Sequence, residues 1–432
     1  MKDKLASFLL KTKNVNRSAV IWNALAACLT SFQTMLLLMV LTHFGTSDHS
    51  GFFVMAYTVA NLVMNIGKFG MRQFQVTDVA EKYSFREYVT SRVFSSGLMT
   101  LALVLYLLYG LLFNGYTAEK AAVVALISLF RGVEAAEDVI HGRMQQLGRL
   151  DVASKILATR NAVFISGFAV TYLLTKNLVL TCAVNAGITV VLCLLMNGAV
   201  LPVFRNSGSE QAGSGENAPP ETADRGRVRR LLWECLPLCL TMVTYMYLGN
   251  APKYIVDGLV TGDVQTRFNI VIMPAFVVAL LCNFIFNPVL KRIGDLWQQQ
   301  DIAGLRRLVR RLALAPVGVD AVVLLFGSLF GLPVLSFVYG VDLTGFLQPL
   351  MVFLLASGAV AMLNLFVALL TAMRKQRHLL CAYAAASLLL LVSGRWVFQT
   401  WGLNVLCWVY LAVMMGVLGW CVGVYWLTIR KQ

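Results

Sequence analysis

The chain has 432 residues, of which 58% are hydrophobic and only 13% charged, and its formal net charge is +15; the mean hydropathy is +0.72. Soluble domains average about 45–50% apolar and about 25% charged residues, so this much apolar side chain excludes a soluble globular fold. The composition specifies an all-α polytopic membrane protein.

In chain order, twelve apolar stretches are each long enough to cross ~30 Å of hydrocarbon. They lie near 18–43, 50–68, 88–114, 117–140, 155–175, 178–204, 230–252, 265–290, 308–336, 346–373, 378–398 and 402–428. The fourth has the shortest strictly apolar core, Ala121 to Phe130. The polar, basic residues before the first stretch and the lack of a small-residue cleavage site after it predict an uncleaved first span without a signal peptide.

Lys and Arg alternate along this ladder. Thirty of the 36 fall in segments assigned inside; Lys120, Lys176, Lys253, Arg267 and Arg395 fall outside, and Arg131 falls within a span. Basic residues are retained on the cytoplasmic side of short loops. The expectation is therefore a multi-pass protein of the inner (plasma) membrane with both termini cytoplasmic. The net charge is then a topology signal, and no nucleic-acid partner is needed to explain it.

Between the sixth and seventh spans, "RNSGSEQAGSGENAPPETADRGR" (Arg205 to Arg227) is rich in Gly, Ser, Pro and Glu with nothing apolar to bury, which predicts a flexible cytoplasmic linker. It divides the chain into an N-terminal six-helix bundle (1–204), the linker (205–228) and a C-terminal six-helix bundle (229–432). Trp22, Cys28, Leu29, Thr30, Met35 and Leu37 recur 211 positions later as Trp233, Cys239, Leu240, Thr241, Met246 and Leu248. Two repeated bundles are a common build of secondary transporters.

Nothing points to an enzyme. The nine cysteines lie within apolar spans, and the histidines at 43, 49, 141 and 378 form no ligand set. There is no nucleophile motif, phosphate-cradling Gly loop or Walker sequence, and the external loops are short. No cofactor or metal is expected; a coupling proton or Na+ is the one small ion foreseen.

The chemistry should lie with polar groups at membrane depth, where an ionised side chain costs at least roughly 2.5–3.5 kcal/mol unless it meets water or a partner. Asp320, in "APVGVDAVVLLFG", stands well inside the ninth span; it reads as a coupling-ion site or as a structural pairing group. Arg131, Glu134, Asp138 and His141 recur at spacings of three, four and three, which places them on one helix face. Arg131 is expected to face a polar interior, and the helix is expected to leave the bilayer from Glu137 onward. Asn283 and Asn287, with Asn23, Gln33, Asn61 and Asn65, give spans of both halves polar faces. Lys68 and Arg72, in "IGKFGMRQFQVTD", mark where the second span meets the cytoplasm; they read as topology charges or as cargo contacts.

Several stretches together resemble one family. "WNALAACLTSFQTMLLLMVLTHFG", "GKFGMRQFQVTDV", "EDVIHGRMQQLGRLDVASK", "NAPKYIVD" followed by "MPAF" and "FIFNPVL", and "FGLPVLSFVYG" are similar, in order and placement over essentially the whole chain, to the polysaccharide transporter (oligosaccharide flippase) family of the multidrug/oligosaccharidyl-lipid/polysaccharide (MOP) exporter superfamily. The resemblance implies two six-helix bundles arranged as a V around a central cavity. It also implies translocation of undecaprenyl-diphosphate-linked oligosaccharide repeat units from the cytoplasmic to the external leaflet. Its partners would be the lipid-linked oligosaccharide, membrane lipids and other glycan-assembly membrane proteins.

Such cargo has a tail that stays in lipid and an anionic head that cannot, so the carrier needs fixed cations and hydrogen-bonding groups at depth. Within "YLGNAPKYIVDGL", Lys253 is a compact cation with three donors, and Pro252 favours a kink or helix end. Asn250, Tyr245 and Tyr247 offer hydrogen bonds or a stacking face. The cavity candidates are therefore Lys253, Asn250, Tyr247, Arg131, Lys68, Arg72, Asn283 and Asn287, and the ion-coupling candidates are Asp320 and Glu134. The competing reading ends the helix near Gly249 and lets Lys253 reach the external surface. A drug or cation antiporter of the same superfamily would share the fold and differ in the sign of its cavity. A major-facilitator porter would carry a GxxxDRxGRR-like loop that is absent here. A membrane glycan polymerase or ligase would carry a long external loop.

Overall fold

The structure, a computed structural model, describes residues 2–78, 82–206, 224–286, 289–373 and 375–430. Among these residues it is all helix, without strands. In chain order the helices are α1 (Lys2–Leu10), α2 (Val15–Phe44), α3 (Ser47–Lys68), α4 (Met71–Thr77), α5 (Phe85–Phe113), α6 (Ala118–Gln146), α7 (Leu150–Thr175) and α8 (Leu178–Asn206). They continue as α9 (Arg225–Val256), α10 (Gly262–Phe286), α11 (Leu290–Gln298), α12 (Ile302–Phe326), α13 (Leu332–Tyr339), α14 (Leu347–Ala372) and α15 (Gln376–Arg430). A single π-helical turn, Gly327–Gly331, joins α12 to α13.

Nine helical segments among the described residues are long and apolar enough to cross a membrane, with α12 to α13 counted as one. The expected twelve are recovered for identifiable reasons. α15 runs 55 residues, and the backbone at Gly402 (φ 78°, ψ −172°) breaks it where the last two apolar stretches were separated; only glycine adopts that conformation without steric cost. α10 has the length of a span at 25 residues. α6 also has the length, but carries too many charges to register by hydropathy. The protein is thus a multi-pass membrane protein.

Packing divides the chain into two units, Met1–Val243 and Thr244–Gln432. This division falls inside α9, whose first half packs with unit 1: Leu231, Cys235 and Cys239 join Phe69, Met71, Tyr83, Tyr88 and Val139 in one apolar cluster. Linker connectivity and packing thus describe different boundaries, and most of the 205–228 linker lies outside the described residues.

In unit 1, α3 is the most buried span and packs on α5 and α6, while α2 packs on α7 and α6 on α8. Local chemistry starts these helices. Thr46 and Thr117 cap α3 and α6, and Ser84 with Glu87 forms a reciprocal capping box at α5; each satisfies amide donors that the first turn leaves free. In unit 2, α14 is central and packs on α10, α12 and α15. The α12 to α13 span is the least buried, as expected of a helix whose apolar side chains are solvated by lipid rather than by protein.

Candidate functional site

Unit 1 carries a buried network of charge along one face of α6. Three carboxylates form its spine. Glu134 accepts from Lys68 Nζ at 2.8 Å and from Arg131 at 2.6 Å, and Arg160 lies 3.4 Å away. Glu137 pairs with Arg160 and accepts from Asn197 at 2.8 Å. Asp138 bridges Arg92 at 3.2 Å and Arg72 at 3.4 Å.

Local backbone explains how cations from four other segments meet here. α3 ends at Phe69 and Gly70, both left-handed (φ 52° and 67°), so the chain turns at once into α4. The turn sets Lys68 on the last turn of α3 and Arg72 on the first turn of α4, both against α6. Gly70 is required twice over, since a Cβ there would also stand 2.7 Å from Leu238. Arg92 enters from α5 and donates to the carbonyl of Gly67 as well as to Asp138, and Arg160 enters from α7. The Arg131 guanidinium lies 4.7 Å from the centroid of the Tyr57 ring, a cation–π contact made in a desolvated setting.

The sequence reading is corrected here in two respects. Glu137, Asp138 and His141 are buried against α5, α7 and α8, so α6 does not leave its bundle at Glu137. Arg92 and Arg160, counted as inside-facing topology charges, are buried members of the network, with side-chain exposures of 4% and 1%. The signal was present in the sequence: Arg160 stands five residues inside the 155–175 stretch and Arg92 four inside 88–114.

Five cations (Lys68, Arg72, Arg92, Arg131, Arg160) face three carboxylates in this set, an excess of two positive charges with His141 neutral. The network is also undersaturated. Among the described residues, the Nε atoms of Arg92, Arg131 and Arg160, Nε2 of His141 and the whole side-chain amide of Gln75 have no hydrogen-bond partner. Buried donors normally find acceptors, so this face can take further acceptor atoms. It is accessible from one end, where Lys68 and Arg72 remain 24% and 29% exposed.

Unit 2 is built differently. A cavity of about 240 Å³ is lined by, among others, Tyr245, Asn250, Phe276, Phe353, Ser357 and Tyr410. Asn250 reaches it while donating to the carbonyl of Met246. Tyr245, not Tyr247, faces it; Tyr247 stacks on Tyr254 with centroids 5.5 Å apart. Lys253 is only 6% exposed, and its ammonium lies 5.1 Å from the centroid of Phe276, itself a lining residue. Phe276 stands fourteen residues into α10, about 21 Å along the helix axis, so Lys253 is directed down its bundle. α9 continues helical through Pro252 and Lys253 to Val256.

Asp320 is half-buried, and its carboxylate rests on the backbone of Gly358, where a Cβ would come within 2.4 Å of Oδ2. Ser357 donates to Asp320 Oδ1 at 3.4 Å, so one lining hydroxyl connects the carboxylate to the cavity wall. Neither Lys253 nor Asp320 makes an ion pair among the described residues. The side chain of Asn283 and the whole of Asn287 lie outside the described residues.

Against this geometry stand the comparisons. The chain is similar in structure to the lipid II flippase MurJ in an inward closed conformation, with TM-score 0.67, 11% identity, and 93% of this chain and 87% of that one covered. It is similar to a MOP-superfamily transporter from Pyrococcus furiosus, with TM-score 0.61, 14% identity and 99% and 97% coverage. It is also similar to the Vibrio cholerae MATE transporter VcmN in the bent form, with TM-score 0.58, 13% identity and 100% and 97% coverage. No sequence-family model matches the chain, and no curated protein matches it. The chain shares the fold of these solved transporter structures. These neighbours are transporters and flippases, not enzymes.

Proposed function

We propose that the protein is a flippase that moves undecaprenyl-diphosphate-linked oligosaccharide repeat units from the cytoplasmic to the external leaflet of the inner membrane by alternating access, for assembly of a surface polysaccharide such as capsule or lipopolysaccharide. The observation that carries this reading is the buried network on α6, with its excess of two positive charges and its unpartnered arginine donors. A buried excess of like charge is costly, and a diphosphate supplies both the compensating charge and oxygen acceptors suited to guanidinium forks. In unit 1, Lys68 and Arg72 are its first contacts and Arg131 and Arg160 lie deeper; in unit 2, taken by itself, Lys253 and Asn250 are the candidates for an anionic head. One structural neighbour is described as having a binding pocket of reverse polarity that suggests a different function; cationic excess is the change that would turn this fold from cationic to anionic cargo.

Outward movement of a doubly negative head is favoured by a potential negative inside, by about 2.3 kcal/mol per charge per 100 mV. The return of the empty carrier is the step assigned to a coupling proton or Na+. Asp320 is the first candidate for its site, because its carboxylate pairs with no cation among the described residues. Glu134, already counter-charge to three cations, is the second.

The test is reconstitution of the whole chain in vesicles containing a labelled undecaprenyl-diphosphate oligosaccharide. Label should reach the opposite leaflet in wild type and should do so at a markedly lower rate with Lys68→Ala, which leaves Glu134 with Arg131 and Arg160. Export of a cationic dye without movement of the lipid would replace this reading with a drug or cation antiporter.

A further inference from the structure

We propose that α11 and the first two turns of α12 form a binding surface for the headgroups of anionic phospholipids, separate from the transported cargo. α11 is strongly two-faced. Ile293, Leu296 and Trp297 pack into the core of unit 2, while Arg292, on the flank of that face, stands exposed. At nine residues α11 is too short to cross the hydrocarbon. α12 then begins at Asp301, whose carboxylate is committed to the amide of Gly304.

The first turns of α12 read "LRRLVRR" and carry Arg306, Arg307, Arg310 and Arg311. The spacing makes two i,i+4 pairs of like charge, Arg306 with Arg310 and Arg307 with Arg311, an arrangement that destabilises an isolated helix. None of the five arginines, Arg292 included, makes an ion pair among the described residues. Nε of Arg306 is buried without an acceptor, and its guanidinium lies 5.8 Å from the Trp426 ring centroid. Five arginines thus share this surface with two exposed carboxylates, Asp295 and Asp301, an excess of three positive charges.

Depth selects the occupant. Immediately after Arg311 the helix becomes apolar, from Leu312 to Phe326, with Asp320 its one charge. Arg306 to Arg311 spans about 7.5 Å of helix axis, close to the ~5–7 Å that a headgroup layer adds to each side of the hydrocarbon. Arginines at that height meet lipid phosphates, and their planar forks match phosphate oxygens two at a time. Indole rings such as those of Trp297 and Trp426 favour the same layer.

Native mass spectrometry of the full chain, with phosphatidylglycerol or phosphatidylcholine of identical acyl chains added, tests this directly. Phosphatidylglycerol should be retained over phosphatidylcholine by about tenfold or more. Arg306→Gln with Arg310→Gln, and separately the exposed pair Arg307→Gln with Arg311→Gln, should each lower its retention by about fivefold per arginine replaced. Lys13→Gln with Arg17→Gln, exposed basic residues outside this surface, should leave it unchanged. If the Arg306 and Arg310 variant does not fold, the exposed pair decides. Equal retention of the two lipids, wild-type retention in the exposed pair, an equal loss in the Lys13 and Arg17 variant, or displacement of the lipid by millimolar inorganic phosphate would each overturn the proposal.

Discussion

In unit 1, three carboxylates of α6 gather five cations from α3, α4, α5, α6 and α7, whereas in unit 2 Lys253 and Asp320 make no ion pair among the described residues. The two arrangements differ in what holds them. In the network, each carboxylate is held by two or more cations or by a cation and an amide, mostly from other helices, so removing the sole cation of a carboxylate leaves it buried and uncompensated. A solitary charge is held by packing and by weak contacts, Phe276 for Lys253 and Ser357 for Asp320. It can be altered at small cost to the bundle and is free to answer a transient ligand. The contrast predicts that the same kind of substitution will unfold one unit and only disable the other.

The largest effect should come from Arg160→Met, which leaves Glu137 buried without its cation. Such a loss costs about 3–5 kcal/mol, whereas replacing both partners by apolar groups is often neutral. Denaturant unfolding in detergent should therefore show severe destabilisation in Arg160→Met and substantial recovery in Arg160→Met with Glu137→Met. No recovery in the double variant would mean that Arg160 acts through something other than this pair.

Next come the cargo cations. Lys68→Ala, which leaves Glu134 with Arg131 and Arg160, and Lys253→Ala should each weaken binding of the diphosphate head by about 1.5–3 kcal/mol, the value of a hydrogen bond to a charged group, or roughly tenfold to a hundredfold. Lys253→Ala should in addition abolish surface-glycan export at normal protein level, with little change in melting temperature. Unchanged glycan output would remove Lys253 from the mechanism, and a large fall in melting temperature would place it with the network residues instead.

Asp320→Asn should slow turnover in reconstituted vesicles without loss of cargo binding. Gly358→Ala probes the same group by a different route, because the added methyl displaces the carboxylate from its seat. It should reproduce the turnover defect with about 1–3 kcal/mol of overpacking. Wild-type turnover and ion dependence in Asp320→Asn would assign the residue to packing.

The smallest effect concerns an exposed pair at the entry to α9. Lys82 donates to Glu234 at 2.7 Å, and this bond raises the lysine above its usual range. A group raised on folding stabilises fully below its unfolded value, and that stability is lost as pH rises through the folded value. Melting curves of wild type and Lys82→Met should differ slightly at neutral pH and converge under alkaline conditions. Exposed pairs are worth little, so divergence toward alkaline pH would give the pair the wrong sign.

The sequence by itself determined the membrane class and the apolar stretches that become spans, because hydropathy is a local property of consecutive residues; the boundary between the packed units, at Val243 and Thr244 inside α9, was not legible in the linker's composition. The sequence also placed Arg131, Glu134, Asp138 and His141 on one face, since helical spacing is local as well. Partnership is not local. Lys68 meets Glu134 across 66 positions, Arg92 meets Asp138 across 46, and Arg160 meets Glu137 across 23. Only the packing of α3, α5 and α7 on α6 decided which charges are compensated and by how much. Tertiary structure likewise decided that Tyr245 rather than Tyr247 lines the cavity of unit 2, and that Lys253 points down its bundle toward Phe276. A side chain's direction is set by the helices that surround it, and those are supplied by parts of the chain far from its own neighbours.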